Sequence, residues 1–176
     1  MLAGTDSGAE WLRDHTRVSD QMTVNEQLLS GGQPLCAGGF GCEVFQPTAQ
    51  TGVVNGGPRL LGDRAANITA YAGGFVHPGD PSFYYHFGEH RNPRTLAGVR
   101  PDGTIVLVVA DGRYPDISVG LSFAEEARIM QALGARDAVN LDGGGSSTMT
   151  IGGTLVNHPS DTTGERPIGD ALLLLP

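Results

Sequence analysis

The stretch Asn140-Leu141-Asp142-Gly143-Gly144-Gly145-Ser146-Ser147-Thr148-Met149 constrains this chain more than any other. A short apolar run, Ala138 to Leu141, reads as a strand that delivers one carboxylate into three consecutive glycines and two hydroxyls. Adjacent glycines lose much backbone entropy on folding, so they belong where the backbone takes positive φ or another group approaches closely. A strand breaking into such a turn exposes successive N–H groups, a concavity suited to an anion. Asp142 to Ser147 is therefore expected to form the floor of an active site.

The rest of the chain supplies the frame. Gly8 to Arg17 reads as a short helix and Met22 to Leu28 as an alternating strand, followed by a Gly/Pro/Cys-rich loop over 30–50. Val53 to Pro58 reads as a strand end breaking into a glycine turn. Arg59 to Ile68 is ambiguous, and Thr69 to Val76 is expected to be extended. Pro78 to Pro93 reads as a long surface loop dense in aromatic and imidazole groups, either functional or stapled to the core. Thr95 to Arg100 and Thr104 to Ala110 form the clearest hairpin, turned at Asp102-Gly103. The second of these strands is apolar on both faces and is expected to be central in its sheet. Ser122 to Leu133 is the best helix, with a capping box at Ser122 and Glu125 and a stop at Gly134. It reads as a covering helix without chemistry. Ile151 to Thr154 turns a second hairpin, His158 to Gly169 is a polar loop, and Ala171 to Leu175 reads as a buried closing strand. Strands dominate, so the expected class is α+β, a mixed and mostly antiparallel sheet with a few packed helices, in one domain over 1–176.

Charge narrows the partners. The net charge is −8, and all eleven basic residues are Arg. A bulk nucleic-acid partner needs a basic face, so none is expected, although a local Arg cluster can still hold one phosphate. No apolar run reaches the roughly 20 residues of a membrane span. The N-terminal residues show neither a basic region nor an apolar one, so no signal peptide is visible there. Cys36 and Cys42 flank a five-residue loop. That spacing fits a disulfide in preference to two free thiols, and two thiols alone make a poor zinc site. A disulfide implies an oxidising, secreted or extracytoplasmic setting.

Arg94 stands before a strand, Asp111 after one and Asp142 after another. If these strands are neighbours, two carboxylates, several guanidiniums and the glycine loop gather at one rim. Arg94, Arg113 and Arg166 are candidates to fork onto phosphate oxygens, with N–H and O–H donors from Gly143, Gly144, Gly145, Ser146 and Ser147. Asp142, Asp111 and Glu165 are candidates for acid and base. No cofactor is expected. Ca²⁺ stays open, since Asp142, Asp111 and Asp161 with backbone carbonyls form an oxygen set. His77, His86, His90 and His158 read as loop residues rather than ligands.

Asn92-Pro93-Arg94-Thr95, Asp111-Gly112-Arg113, the Asn140–Met149 stretch, and Asn157-His158-Pro159-Ser160-Asp161 through Gly164-Glu165-Arg166-Pro167 occur in this order. The chain thereby resembles the phosphodiester glycosidase family. More weakly, Gly8 to Arg13 and Val54 to Pro58 are similar to that family's helix and its Gly-Gly-Pro turn. The resemblance implies a hydrolase that cleaves a sugar from a sugar-1-phosphodiester of the N-acetylglucosamine-phospho-sugar type and leaves a phosphomonoester. It implies pocket residues at Arg94, Thr95, Asp111, Arg113, Asp142 to Ser147, Asp161 and Arg166. The family's domain begins earlier, with an Asn-Gly-x-Phe-type strand not found here, so the chain is expected to be the domain's C-terminal portion. It would act alone, as a homo-oligomer, or with that N-terminal segment. The competing class is a non-catalytic carbohydrate- or phosphate-binding module of a cell-envelope or phage-associated protein.

Overall fold

The computed structural model describes residues 52, 54–77 and 79–174, together with Glu10, Asp14, His15, Arg17 and four two-residue strands between 29 and 44. The chain divides into two compact units, Met1–Gly52 and Val53–Pro176. In the first, Glu10, Asp14 and His15 are helical, inside the helix expected over 8–17. Leu29–Ser30 pairs with Gln33–Pro34 and Cys36–Ala37 with Glu43–Val44, so two small antiparallel hairpins occupy the stretch expected to be loop. The expected Met22–Leu28 strand and the Cys36–Cys42 bridge lie outside the described residues.

The second unit is built on a five-stranded sheet. Its strands are β1 (Gly56–Gly62), β2 (Ala65–Ala66), β3 (Arg94–Val99), β4 (Ile105–Ala110) and β5 (Asp137–Leu141), in the order β2-β1-β5-β3-β4. Every pairing is antiparallel, and a two-stranded hairpin, Thr150–Ile151 with Thr154–Leu155, stands apart. With its packed helices this is the α+β class expected from sequence.

The order of the strands decides where the site lies. β3 pairs antiparallel with both β4 and β5, so β4 and β5 run parallel to each other. Parallel strands need a crossover, and the helix α2 (Phe123–Ala132) lies on that connection. Both strands therefore end on the same rim, where Asp111 and Asp142 follow them. Arg94 starts β3 opposite Ala110. Leu96 faces Asn140, and continuing that register by two residues sets Asp142 opposite Arg94. The strand ends do gather at one rim.

Helix α2 begins at Ser122, whose side chain accepts from the Glu125 N–H while Glu125 accepts from the Ser122 N–H, a reciprocal cap. Its inward side chains Phe123, Ala127 and Met130 meet Leu60, Leu61, Leu96, Ala135 and Ala138 to form the core. Leu60 and Leu61 are adjacent yet both fully buried. A register shift in β1 between Arg59 and Leu61 accompanies this departure from simple alternation.

Several expectations are corrected. β4 is an edge strand of the described sheet, not a central one, and its first residue, Ile105, is 65% exposed. Its apolar run is served by Val106 and Val108, which pack against the core, and by its hairpin partner. Gly56-Gly57-Pro58 opens β1 instead of breaking a strand, with a cis peptide before Pro58. The 69–76 segment is largely turn, because Gly73 and Phe75 donate back to Thr69 and Ala70. The 78–93 stretch is not an open loop. It holds α1 (Pro81–Tyr84), capped by the Asp80 side chain with Pro81 in its first turn, running into a π-helical turn, Tyr85–Glu89. Finally, 171–174 forms no strand and is exposed, with Leu173 at 76%; an apolar run alone did not specify a pairing partner.

Candidate active site

At the rim lies a cavity of about 490 Å³, wholly within the second unit. Its floor is Asp142, Gly143 and Gly144, one wall carries Phe83, His86 and Phe87, and Asn92, Arg94, Arg113 and Arg166 complete it.

The glycine loop is compact because cationic side chains sit on it. Gly144 takes φ +62° and donates its N–H to the Pro93 carbonyl at 2.9 Å. A Cβ there would meet the Arg113 guanidinium at 3.4 Å, and a Cβ on Gly145 would fall inside the Arg166–Asp161 pair. Gly144 and Gly145 thus leave room for two guanidiniums beside the backbone, and Gly143 for the Pro93 carbonyl. Arg113 is itself a non-glycine residue at φ +65°, a conformation that costs energy and tends to persist at functional sites. It is held there by the Tyr114–Ser118 turn, by Ser118 Oγ donating to the Asp111 carbonyl, and by Tyr114 Oη donating to the Pro159 carbonyl.

The two guanidiniums differ in their partners. Arg113 donates to Asn92 Oδ1 at 3.2 Å and Ser160 Oγ at 3.4 Å, both neutral. Arg166 makes a forked ion pair with Asp161, Nε to Oδ2 at 2.8 Å and Nη2 to Oδ1 at 3.1 Å. Asp142 is exposed, and its one hydrogen bond among the described residues is accepted from the Gly143 N–H at 2.8 Å. Cations and a carboxylate around one open cavity suit a singly charged anionic ligand.

Sequence comparison fixes the ancestry of this arrangement. The sequence profile of the phosphodiester glycosidase family matches residues 13–175. The chain belongs to the phosphodiester glycosidase family. Mouse N-acetylglucosamine-1-phosphodiester alpha-N-acetylglucosaminidase is 40% identical over 68 residues, which is 39% of this chain and 13% of that enzyme. The SPbeta prophage-derived uncharacterized protein YomE of Bacillus subtilis (strain 168) is 36% identical over 84 residues, 48% of this chain and again 13% of the relative. This chain thus spans about an eighth of the length of those relatives. Among solved structures, a protein of Burkholderia pseudomallei K96243 shares 47% identity at a TM-score of 0.61, covering 68% of this chain and 24% of its own.

Within this family member, the sequence-derived site residues fall into distinct groups. Asp142, Gly143, Gly144, Arg113 and Arg166 line the cavity. Asp161 and Gly145 act behind Arg166, and Ser146 belongs to the 3₁₀ turn Gly144–Ser146. Ser147 is fully buried, with its hydroxyl unpartnered and its carbonyl accepting from Asn157 Nδ2. Thr95 lies along β3 with its hydroxyl buried. Glu165 is exposed and is not part of the cavity wall.

Arg94 reaches the back of the cavity, but its guanidinium is turned inward. It is 1% exposed, with Nε donating to the Leu121 carbonyl and Nη2 to the carbonyls of Phe87 and His90. Its Cζ lies 4.6 Å from the Phe123 ring centroid and 5.4 Å from that of Phe87. Nε also stands 2.8 Å from Glu126 Oε1, yet neither Glu126 oxygen takes a directed hydrogen bond, because the N–H aims at Leu121. Burial pushes the Glu126 carboxyl up to about 8 against the pull of Arg94. Arg94 is placed as a strut that ties the aromatic wall to α2.

This pair sets a pH dependence. Because the folded value lies above the ordinary carboxylate range, the stabilisation is complete below about pH 4.5 and is lost as pH rises towards about 8. The carboxylates held low, Glu125 among them, exert their effect below that window. Unfolding free energies from urea titrations should therefore fall between pH 5 and pH 8, with a slope of up to about 1.4 kcal/mol per pH unit. Glu126→Gln should flatten the profile; an unchanged slope in that variant would assign the dependence elsewhere.

Asp111 is not part of the cavity wall either. Oδ1 accepts from Asn157 Nδ2 at 3.0 Å and the His158 N–H at 2.8 Å, and Oδ2 lies 2.8 Å from His158 Nδ1. Burial opposes its ionisation, but these hydrogen bonds outweigh it and hold the carboxyl below the usual range. Asn157 in turn ties Ser147 and Met149. Asp111 therefore anchors the 157–160 loop, from which Ser160 reaches Arg113. Of the three carboxylates in the Ca²⁺ set, Asp111 is engaged by Asn157 and His158 and Asp161 by Arg166, while Asp142 makes no ion pair among the described residues.

Sequence reasoning missed Asn92 and His158. Asn92 donates to the carbonyls of His86 and His90 and accepts from Arg113, linking the aromatic wall to the anion side. Its signal was its place beside Pro93 and Arg94 in the first motif. The density of rings in 78–93 was the signal for the wall, and its rings staple the segment to the core while Phe83 and Phe87 line the cavity. Phe87 stacks on Phe83 at 5.6 Å and packs edge-on against core Phe123 at 5.3 Å.

Proposed function

We propose that the chain hydrolyses the glycosyl–phosphate bond of a sugar-1-phosphodiester of the N-acetylglucosamine-phospho-sugar type. The observation that carries this reading is Asp142 facing the same cavity as Arg113 and Arg166 over the glycine loop. Phosphate is already a good leaving group, so protonating the bridging oxygen matters less than in ordinary glycosidases. Arg113 and Arg166 neutralise charge as the C1–O bond breaks and its electron pair moves to the phosphate oxygen. Asp142 serves as base for the attacking water, or attacks C1 itself before water replaces it. In the first route, the water oxygen bonds to C1 and its proton passes to Asp142. The products are the free sugar and a phosphomonoester. The wall of Phe83 and Phe87 offers an apolar surface for the C–H face of a sugar ring.

Incubation with a synthetic N-acetylglucosamine-1-phosphodiester should release N-acetylglucosamine and a phosphomonoester in equal amounts. Binding of that diester without release would instead support the non-catalytic module.

A further inference from the structure

The two cavity arginines are not electrically equivalent, and the difference lies in Asp161. Both of Arg113's contacts are neutral oxygens, and no carboxylate among the described residues lies within ion-pair distance of it. Arg166 has its charge matched by a two-point fork from Asp161. That fork is built into the loop, since Gly145 lacks the Cβ that would occupy its place. Asp142 adds an unpaired negative charge on the same cavity. Arg94 lies at the back of the cavity, 1% exposed, with Nε and Nη2 committed to three carbonyls.

From this we infer that Asp161 sets the charge preference of the site. By neutralising Arg166, it makes the cavity favour a singly charged phosphodiester over a doubly charged phosphomonoester. The inference rests on the hydrolase reading above and adds a role for a residue that does not itself meet the ligand. A diester carries one negative charge. A monoester acquires a second above about pH 6. With Arg166 matched by Asp161 and Asp142 adding an unmatched carboxylate, the cavity accommodates the first charge and disfavours the second. Cleavage converts the favoured species into the disfavoured one, so the same pair promotes release of the phosphomonoester.

Charge preference can be measured without turnover. The probes are an N-acetylglucosamine C-glycosyl phosphonate, in which CH₂ replaces the scissile oxygen, and its methyl ester. At pH 8.5 the free phosphonate carries close to two charges and the ester one. Calorimetric titration of the wild-type chain should show tighter binding of the ester. Asp161→Asn keeps the side-chain shape and an acceptor for Arg166 but removes the charge. It should shift the ratio of the two affinities about tenfold towards the free phosphonate. Arg166→Gln should not produce that shift, because it removes the cation that Asp161 restrains. An unchanged ratio in Asp161→Asn, with both probes still bound, would overturn the inference and leave the hydrolase reading intact. Failure of the wild-type chain to bind either probe would overturn both. Circular dichroism of the variant at the same pH confirms that a folded chain is being titrated.

Discussion

Asp142→Asn should lower kcat by about 10³-fold or more while leaving the urea midpoint within error of the wild type. The separation of the two effects follows from how little the fold asks of this carboxylate. It is exposed, makes no ion pair among the described residues, and accepts a hydrogen bond only from the next N–H along the chain. An asparagine oxygen can accept the same bond. What asparagine lacks is the capacity to take a proton from water or to bond to C1. Removing the negative charge should also strengthen binding of the anionic substrate, so KM should fall or stay level as kcat collapses. A variant that kept wild-type turnover would remove Asp142 from the chemistry, and a lowered midpoint would show that its charge supports the loop.

Arg94→Ala should behave in the opposite way, with stability lost first. The substitution strips the hydrogen bonds from the carbonyls of Leu121, Phe87 and His90 and leaves Glu126 buried without its cation. Breaking one side of a buried ion pair costs about 3–5 kcal/mol. Here burial already favours the neutral acid of Glu126, which puts the expected loss at the lower end. Arg94→Lys should recover little, because an ammonium cannot fork to three carbonyls in the guanidinium plane. The measurement is a denaturation midpoint for each variant beside its kinetics at a temperature where it stays folded. A phosphate ligand would give a raised KM at an unchanged midpoint, and that result would return Arg94 to the anion site.

Arg94 shows what a sequence conceals. Its motif and its place at a strand start are compatible with phosphate binding. Its actual partner sits on a helix read as a mere cover, and nothing in the spacing of Glu126 announces that it lies beneath Arg94. Asp111 and His158 are likewise 47 positions apart, and only folding joins them. Local signals read better. The Ser122–Glu125 box fixed the start of α2, and Asp102-Gly103 fixed the hairpin that sets β3 beside β4. Those two elements and the strand before the glycines suffice to gather the rim. What failed were the turn over 69–76, closed by bonds to Thr69 and Ala70 a few residues back, the exposed leucines near the end, and the edge position of β4. A continuous apolar run says that a strand wants company on both sides, and it does not say which side receives it.

The alignment of β3 with β5 has a practical corollary. Asp142 stands across from Arg94 only while Leu96 faces Asn140, and a slip of one residue would turn alternate side chains to the wrong face. Such a misaligned chain could keep its helices and much of its strand content, and look native by circular dichroism. It could not assemble the cavity. The proposed turnover of a phosphodiester would therefore report strand alignment in a way that bulk spectroscopy does not, and would gauge correct refolding.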